Sequence, residues 1–378
     1  MNITKYVKKF GSYTFIERRF SDVDSLIFAE LAYINFHLLV DESHPEIVIK
    51  NITNKQFSDF KLFEGSVDAK RNKKLLILMA ASKRYQDIII RDIEYSFSKD
   101  NDNQFYAFTI VLPTGNLYVA FRGTDTSLVG WKEDFLIAVY DKIKAQVQAE
   151  KYANRVLANN KARFYIGGHS KGGHLAFYAA LNLNEEYDTR FIGAYSFDGP
   201  GFRDGITNFK AYERNHSRLI KYRTYNNMIG SVYEDVNHYK VVYSNGILGG
   251  HDPFFWQIVS STGRFRMARD VSNSSRKFRN KLNGWLDGLN IHDKFLFIEA
   301  FFTVFDGNDT IYDLFKNLPR NIINLRKALS VFSVEEQTRL KNIFRTFIAM
   351  LLSEKSMRKV SRKEQNKNEV SSTEEDNN

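Results

Sequence analysis

The chain has 378 residues, of which 43% are hydrophobic and 26% are charged, and its formal net charge is +10. This length and composition favour one large α/β domain with a sizeable core and an appended helical region. The sequence contains no cysteine, which excludes disulfides, thiolate metal sites and cysteine nucleophiles.

The positive charge is scattered along the sequence rather than concentrated in one basic segment. We interpret it as a solvated basic surface, with weak association with an anionic membrane surface as the alternative; no nucleic-acid partner is expected. The N-terminal residues lack an apolar run of signal-peptide length, so we expect a cytoplasmic protein. The most apolar stretch, Phe295 to Phe305, includes Glu299 and falls short of the ~20 residues that a membrane-spanning helix needs.

The first part of the chain predicts two helices followed by a β-hairpin. Apolar residues recur at helical spacing over Val23 to Leu39 and again over about Leu75 to Gln86. Two β-rich runs, Phe105 to Val111 and Leu117 to Phe121, flank the turn sequence PTGN and predict the hairpin.

Between residues 131 and 243, helical and β-rich segments alternate, which predicts a mostly parallel sheet with helices on both faces. The predicted helices are Trp131 to Ala158 and Leu175 to Leu183, and the predicted strands are Phe164 to Ile166, Phe191 to Phe197, Leu219 to Tyr225 and Tyr239 to Tyr243. Only helical patterns follow from about Asn283, so the sheet is expected to be complete there. In such a sheet the functional groups lie on loops at the carboxyl ends of the strands.

A G-x-S-x-G pattern lies between a predicted strand and a predicted helix, in FYIGGHSKGGHL at residues 164–175. A nucleophilic serine on such a turn has strained backbone geometry, and glycines at positions 168 and 172 remove side chains that would clash there. The start of the following helix directs backbone N–H groups towards an acyl oxygen. The pattern favours Ser170 as a nucleophile, and a purely structural glycine turn is the alternative.

A second motif, FRGTD at residues 121–125, ends the second hairpin strand and is followed by GWKEDF at residues 130–135. Together with GGHSKGGHLA at residues 167–176, it resembles the class 3 lipases and bacterial lipase-like proteins. The resemblance covers roughly residues 20–265. It implies an α/β-hydrolase fold and ester hydrolysis by a serine, a histidine and an acid.

The resemblance also implies an oxyanion hole, in which Thr124 matches the family's residue after FRG and the N–H of Lys171 is the second donor. A structural role for the Thr124 hydroxyl at the strand end is the alternative. Lipases of this type usually carry an apolar residue after the nucleophile, where this chain has Lys171. We expect its side chain either to disfavour a long acyl substrate or to extend to solvent.

The catalytic base is expected after the last parallel strands, because an α/β-hydrolase triad follows the order serine, acid, histidine along the chain. His251 lies in a glycine-rich loop after the last predicted strand and is the predicted base. His238 precedes that strand and His292 lies in the helical region. His169 and His174, which flank the nucleophile, are predicted to have structural roles.

The acid is less directly indicated, because Asn226 and Asn227 occupy the loop in which class 3 lipases carry a carboxylate. An asparagine can orient an imidazole but cannot stabilise its charged form. Asp198, at the end of the preceding strand, is the predicted acid. Asp235 is the second candidate, and Asn226 is the candidate for an amide that orients the histidine.

We therefore predict a serine hydrolase of the lipase or carboxylesterase type, which acts on small-molecule or lipid esters without a metal or organic cofactor. The alternative is a catalytically weak hydrolase fold that serves as a binding or membrane-surface module. The predicted organisation is an N-terminal extension (1–20), an α/β-hydrolase domain (21–282), a C-terminal helical region (283–353) and a disordered tail (354–378).

Overall fold

A nine-stranded β-sheet forms the centre of the structure, and its strands lie side by side in the order in which they occur along the chain. They are β1 (Ile47–Val48), β2 (Ile89–Ser98), β3 (Asn103–Val111), β4 (Leu117–Phe121), β5 (Phe164–His169), β6 (Phe191–Phe197), β7 (Leu219–Thr224), β8 (Tyr239–Val242) and β9 (Met267–Ala268). The computed structural model describes residues 1–66, 68–98, 103–125, 132, 136–137, 140, 142–202, 208–226, 233, 239–245, 250–304, 329–330, 332–347 and 349.

The sheet is mixed. Strands β4 to β8 run parallel to one another, whereas β1, β2, β3 and β9 are antiparallel to their neighbours. The predicted parallel sheet is therefore confirmed at its centre but not at its flanks. The predicted hairpin is confirmed as β3 and β4, whose connecting turn has Gly115 at φ +83°. A turn this short can join only antiparallel strands, which is why the direction reverses on this side of the sheet.

Helices precede, connect and follow the strands. They are α1 (Ile3–Phe10), α2 (Asp22–Leu31), α3 (Asn54–Ser58), α4 (Ala69–Ala80), α5 (Lys144–Ala158), α6 (Lys171–Leu181), α7 (Phe209–Asn215), α8 (Asn273–Asp287) and α9 (Ile291–Val304), and residues 334–347 are also helical. Of the helix predicted over Trp131 to Ala158, Lys144–Ala158 forms α5; Lys132 and Leu136 are also helical, residues 142 and 143 are not, and Trp131 lies outside the described residues. The helix predicted over Val23 to Leu39 ends at Leu31, and Phe36–Leu39 forms a separate 3-10 turn.

The two faces of the sheet contribute to separate hydrophobic cores. Along β4, Tyr118 and Ala120 belong to the core that contains α1, α2 and α4, whereas Leu117, Val119 and Phe121 belong to the core that contains α5 and α6. This division follows from the alternation of side chains along a strand. Helices therefore cover both faces, as the alternating sequence pattern predicts.

The N-terminal segment, residues 1–20, packs into the first of these cores. Ile3, Tyr6 and Phe10 of α1 are buried in it. The backbone N–H of Ile258 donates to the carbonyl oxygen of Met1 at 2.7 Å. The segment that the sequence suggested as an extension thus shares a core with the sheet.

The helices after the sheet pack on one another through aromatic rings. Trp285 of α8 lies 5.2 Å from Phe297 of α9, and Phe297 lies 5.1 Å from Phe344, measured between ring centroids. None of the helices in the described part of the chain has the length and apolar character needed to cross a bilayer. The predicted tail, residues 354–378, lies outside the described residues.

Candidate active site

Loops from five neighbouring strands meet at one edge of the sheet. Ser170 directly follows β5 and Asp198 directly follows β6, while Thr124, Asn226 and His251 lie in the segments after β4, β7 and β8. Because parallel strands all end at the same edge, these segments lie side by side. The predicted nucleophile, base, acid and oxyanion-hole positions therefore converge on this edge.

Ser170 occupies the tight turn between β5 and α6. Its φ of 58° and ψ of −131° are a strained combination for a residue other than glycine. A Cβ at Gly172 would lie 2.2 Å from the carbonyl oxygen of Phe121, and one at Gly168 would lie 2.3 Å from the carbonyl oxygen of Gly172. Only glycine fits at these two positions, as the G-x-S-x-G pattern predicts.

Asp198 and His251 are joined by a hydrogen bond. Nδ1 of His251 lies 2.7 Å from Oδ2 of Asp198, whose side chain is fully buried. The other oxygen, Oδ1, accepts a hydrogen bond from the backbone N–H of Thr224 at 3.2 Å. Since a carboxylate oxygen only accepts, Nδ1 of His251 is the donor, which leaves Nε2 of the neutral ring as the proton acceptor. This is the tautomer that a general base requires.

The alternative candidates for the acid and the base take no part in this hydrogen bond among the residues that the structure describes. Asn226, the candidate amide that would orient the histidine, is half-buried in the segment after β7. The Nδ1 atom of His251, which such an amide would contact, is hydrogen-bonded to Asp198. Asp235 and His238 lie outside the described residues. His292 is exposed on α9.

The two positions predicted for the oxyanion hole flank Ser170. Thr124 is buried, and a Cβ on the preceding Gly123 would lie 3.2 Å from the Cβ of Ser170. Lys171 is the first residue of α6 and is also buried. Its Nζ donates to the backbone carbonyl oxygen of Gln104 at 3.1 Å and contacts Oε1 of the same residue at 3.3 Å. The expectation that this side chain extends to solvent is therefore wrong, because it is anchored on β3.

His169 contacts the predicted base directly, which the sequence did not indicate. Its Nε2 donates to the backbone carbonyl oxygen of His251 at 2.8 Å, and Nδ1 accepts from the Tyr33 hydroxyl at 3.0 Å. Trp256 donates to the same carbonyl oxygen at 3.4 Å. Burial lowers the pKa of His169 well below its usual range, so this ring is neutral. Because side chains alternate along a strand, His169 lies on the same face of β5 as Tyr165, the face that packs against α2. This alternation is the one sequence signal that indicates the surroundings of His169.

The arginine of the FRG sequence holds the end of β4 against α2. Arg122 is half-buried and donates to the backbone carbonyl oxygens of Ala32 and Ile34, which follow the last turn of that helix. Its guanidinium carbon lies 3.7 Å from the ring centroid of Tyr106. Burial lowers the pKa of Arg122 from its ordinary value. This arrangement fixes the strand end that carries Thr124 against the segment that follows α2.

Two further charged side chains, one buried and one half-buried, lie near the aspartate–histidine pair. Arg223 is fully buried near Asp198, with its guanidinium 4.9 Å from the ring of Tyr239, and burial lowers its pKa. Burial also raises the pKa of Asp252, which lies 3.6 Å from the guanidinium of Arg71. Within the described ranges, no cluster of His, Asp and Glu side chains is arranged to hold a metal ion.

Three solved lipases are similar to this chain. The M37 lipase is 16% identical with a TM-score of 0.36, and the match covers 55% of this chain and 68% of that one. The Lip2 lipase of Yarrowia lipolytica is 12% identical with a TM-score of 0.34, over 58% of this chain and 77% of its own. A triacylglycerol lipase of Penicillium expansum is 11% identical with a TM-score of 0.31, and the match covers 48% of this chain and 81% of that lipase.

The family comparison covers more of the sequence and includes the whole strand edge described above. No curated protein matches the chain. The family model described as Mbeg1-like matches residues 79–303, which contain Thr124, Ser170, Asp198 and His251. The lipase-like α/β-hydrolase resemblance inferred from the motifs is thereby confirmed. The chain belongs to the Mbeg1-like family, a family of lipase-like proteins.

Proposed function

We propose that this protein is a serine hydrolase that cleaves carboxylic esters, with Ser170 as nucleophile, His251 as base and Asp198 as acid. The observation that carries the proposal is the 2.7 Å hydrogen bond between the buried Asp198 carboxylate and Nδ1 of His251. It supplies an oriented imidazole at the same edge of the sheet as a serine in strained geometry. Membership of a lipase-like family favours ester substrates, either small molecules or lipids.

In the proposed reaction, Nε2 of His251 takes the proton of the Ser170 hydroxyl while its oxygen attacks the ester carbonyl carbon. The backbone N–H groups of Thr124 and Lys171 bind the resulting oxyanion. His251 then gives its proton to the leaving alcohol, and a water molecule that the same ring deprotonates releases the acid product. Asp198 keeps the proton on Nδ1 and stabilises the imidazolium that forms in both halves of the reaction.

The alternative, a catalytically weak fold that acts as a binding or membrane-surface module, would be favoured by an amide in place of the triad acid. A buried carboxylate in contact with His251 argues against it. The predicted cytoplasmic location and the lipase or carboxylesterase subclass stay predictions.

Labelling with a fluorophosphonate tests the proposal, because only an activated serine reacts at an appreciable rate with this probe. We expect the wild-type protein to be labelled and the Ser170→Ala variant to be unlabelled. Ser43→Ala is the matched control, since Ser43 lies on an exposed loop and its removal should leave labelling unchanged. Equal labelling of wild type and Ser170→Ala would assign the reaction to another residue.

Hydrolysis of p-nitrophenyl esters of graded chain length then separates the subclasses. A carboxylesterase should prefer short acyl chains, and a lipase should accept long ones. If none of these esters is hydrolysed and the fluorophosphonate does not react, the binding-module alternative becomes the better account.

A further inference from the structure

An open cavity of about 520 Å³ is lined by residues other than those at the strand edge that carries Ser170. It is formed between the segment after α1 and the turn that precedes β9. Its lining residues are Arg18, Arg19, Ser21, Thr262, Gly263 and Arg264. Three of these six residues are arginines, so the cavity has a concentrated positive charge.

Arg18 is held in a fixed position in the wall of this cavity. Its Nη2 donates to the backbone carbonyl oxygen of Thr262 at 2.5 Å, and its guanidinium lies 4.3 Å from the ring centroid of Phe10. Gly263 has φ +68°, and a Cβ there would lie 2.6 Å from Nη2 of Arg18. Glycine at this turn is therefore what allows the guanidinium and the backbone to approach so closely.

The positive charges of the cavity are not neutralised by the part of the protein that the structure describes. Arg18, Arg19 and Arg264 form no ion pair with a described residue. The nearby carboxylates are bound elsewhere: Glu17 to Lys83 at 3.2 Å, Asp24 to Arg84 at 2.7 Å and Asp22 to the hydroxyl of Tyr222.

Helix α1 adds to this positive field. It carries Lys5, Lys8 and Lys9 and has no acidic residue. Nζ of Lys9 lies 3.1 Å from the hydroxyl of Ser260, so this helix is attached to the same turn that provides Arg264. An anion that approaches the cavity is therefore attracted from several sides.

We propose that this cavity binds a phosphate group through Arg18, Arg19 and Arg264. The planar guanidinium group presents paired N–H donors that match the oxygens of a phosphate, and a phosphate monoester offers enough charge and oxygens to engage several arginines at once. Arg18 is already held in the cavity wall by its contacts with Thr262 and Phe10. The site is separate from the proposed hydrolase chemistry and does not depend on it.

The phosphate can belong to a soluble phosphate ester or to a lipid headgroup. Two exposed apolar side chains lie just before the arginines in sequence: Ile16 is 85% exposed and Tyr13 is 48% exposed. Apolar side chains beside arginines suit a membrane surface, where the former enter the interface and the latter bind headgroups. A test must therefore distinguish the two sources.

The test uses the full-length protein with two probes, namely inorganic phosphate in solution, followed by calorimetry, and phosphatidylcholine vesicles containing phosphatidic acid, followed by co-sedimentation. The double variant Arg19→Gln/Arg264→Gln removes two charges from exposed side chains and leaves the packed Arg18 intact. The matched control is Lys55→Gln/Lys61→Gln, which removes the same charge from exposed positions around α3.

We expect the wild type to bind at least one probe, the arginine variant to bind it about tenfold more weakly or worse, and the lysine control to stay within about twofold of wild type. Binding of inorganic phosphate without vesicles identifies a soluble ester as the source. Vesicle binding that Ile16→Ser also weakens identifies a lipid headgroup. The proposal is overturned if the wild type binds neither probe, or if the lysine control loses as much affinity as the arginine variant.

Discussion

The imidazole of His169 lies against that of His251, with ring centroids 4.4 Å apart, and donates a hydrogen bond to the backbone carbonyl oxygen of His251. A neighbour of the nucleophile thus fixes both the ring and the backbone of the proposed base, across 82 positions of sequence. His169 is a positioning residue in this arrangement, because it acts through His251.

Replacing His169 should therefore impair turnover more than substrate binding. We expect His169→Phe, which keeps a ring but removes both hydrogen bonds, to lower kcat by up to about 10²-fold with little change in KM, because small displacements of a catalytic group have effects of this size. His169→Gln retains a donor and should keep more activity. Steady-state kinetics of the folded variants measures this, with the exposed His216→Phe as control. A wild-type kcat in His169→Phe would contradict the positioning role.

Asp198→Asn should lower kcat steeply, by up to about 10⁴-fold, while the protein remains folded. The amide oxygen can still accept from Thr224, which turns the amide N–H₂ group towards His251. The ring must then carry its proton on Nε2, the atom that should accept the proton of Ser170. Asp235→Asn is the comparison variant, and an equal loss in that variant would instead favour Asp235 as the acid.

Lys171→Met should reduce stability rather than abolish catalysis. The change removes a buried ammonium and leaves the carbonyl oxygen of Gln104 without this donor, at a cost of about 1–3 kcal/mol in the free energy of unfolding. The backbone N–H of residue 171 is unaffected, so turnover by the folded protein should stay within a few-fold of wild type. Denaturant unfolding and esterase assays, with the exposed Lys151→Met as control, measure both effects. Lost turnover at unchanged stability would assign the ammonium a role in the reaction.

His174 should make the protein less stable in mild acid. Burial lowers the pKa of His174 to about 4 from its ordinary value of 6.5. Between these two values the unfolded chain takes up a proton that the folded protein does not, so the free energy of unfolding falls as the pH decreases from 6.5 to about 4, by up to about 1.4 kcal/mol per pH unit. His174→Gln should reduce this pH dependence in denaturant titrations, whereas the exposed His44→Gln should leave it unchanged. An identical pH dependence in wild type and His174→Gln would contradict the assignment.

The sequence predicted the parts of the structure that follow from periodicity and from strand ends. The strand Phe191–Phe197 has the predicted bounds, and Ser170 and Asp198 directly follow parallel strands, which is the position expected for site residues. Strand β2 was missed because Arg91, Asp92 and Glu94 interrupt its apolar pattern at a register shift, where Asp92 has φ 54°.

Other features depend on contacts that no local pattern records. Helix α4 begins six residues before the predicted Leu75, because its first turns are polar and its start is set by the Asp68 side chain, which accepts from the N–H of Arg71. The contact of His169 with His251 and the anchoring of Lys171 on Gln104 join residues 82 and 67 positions apart. Such pairs arise only from the tertiary fold, and a single sequence gives no signal for them.

The agreement between strand order in the sheet and strand order along the chain has a consequence for biosynthesis. Each new strand can pair with the one made just before it, so the sheet can grow as the polypeptide leaves the ribosome. Helix α1 cannot complete its packing in this way, since Met1 pairs with Ile258, 257 positions later. Its packing against α4 can form early, but the side that faces the segment after β8 stays uncovered until most of the polypeptide has been made, and this interval is when a nascent chain would most need the protection of a chaperone.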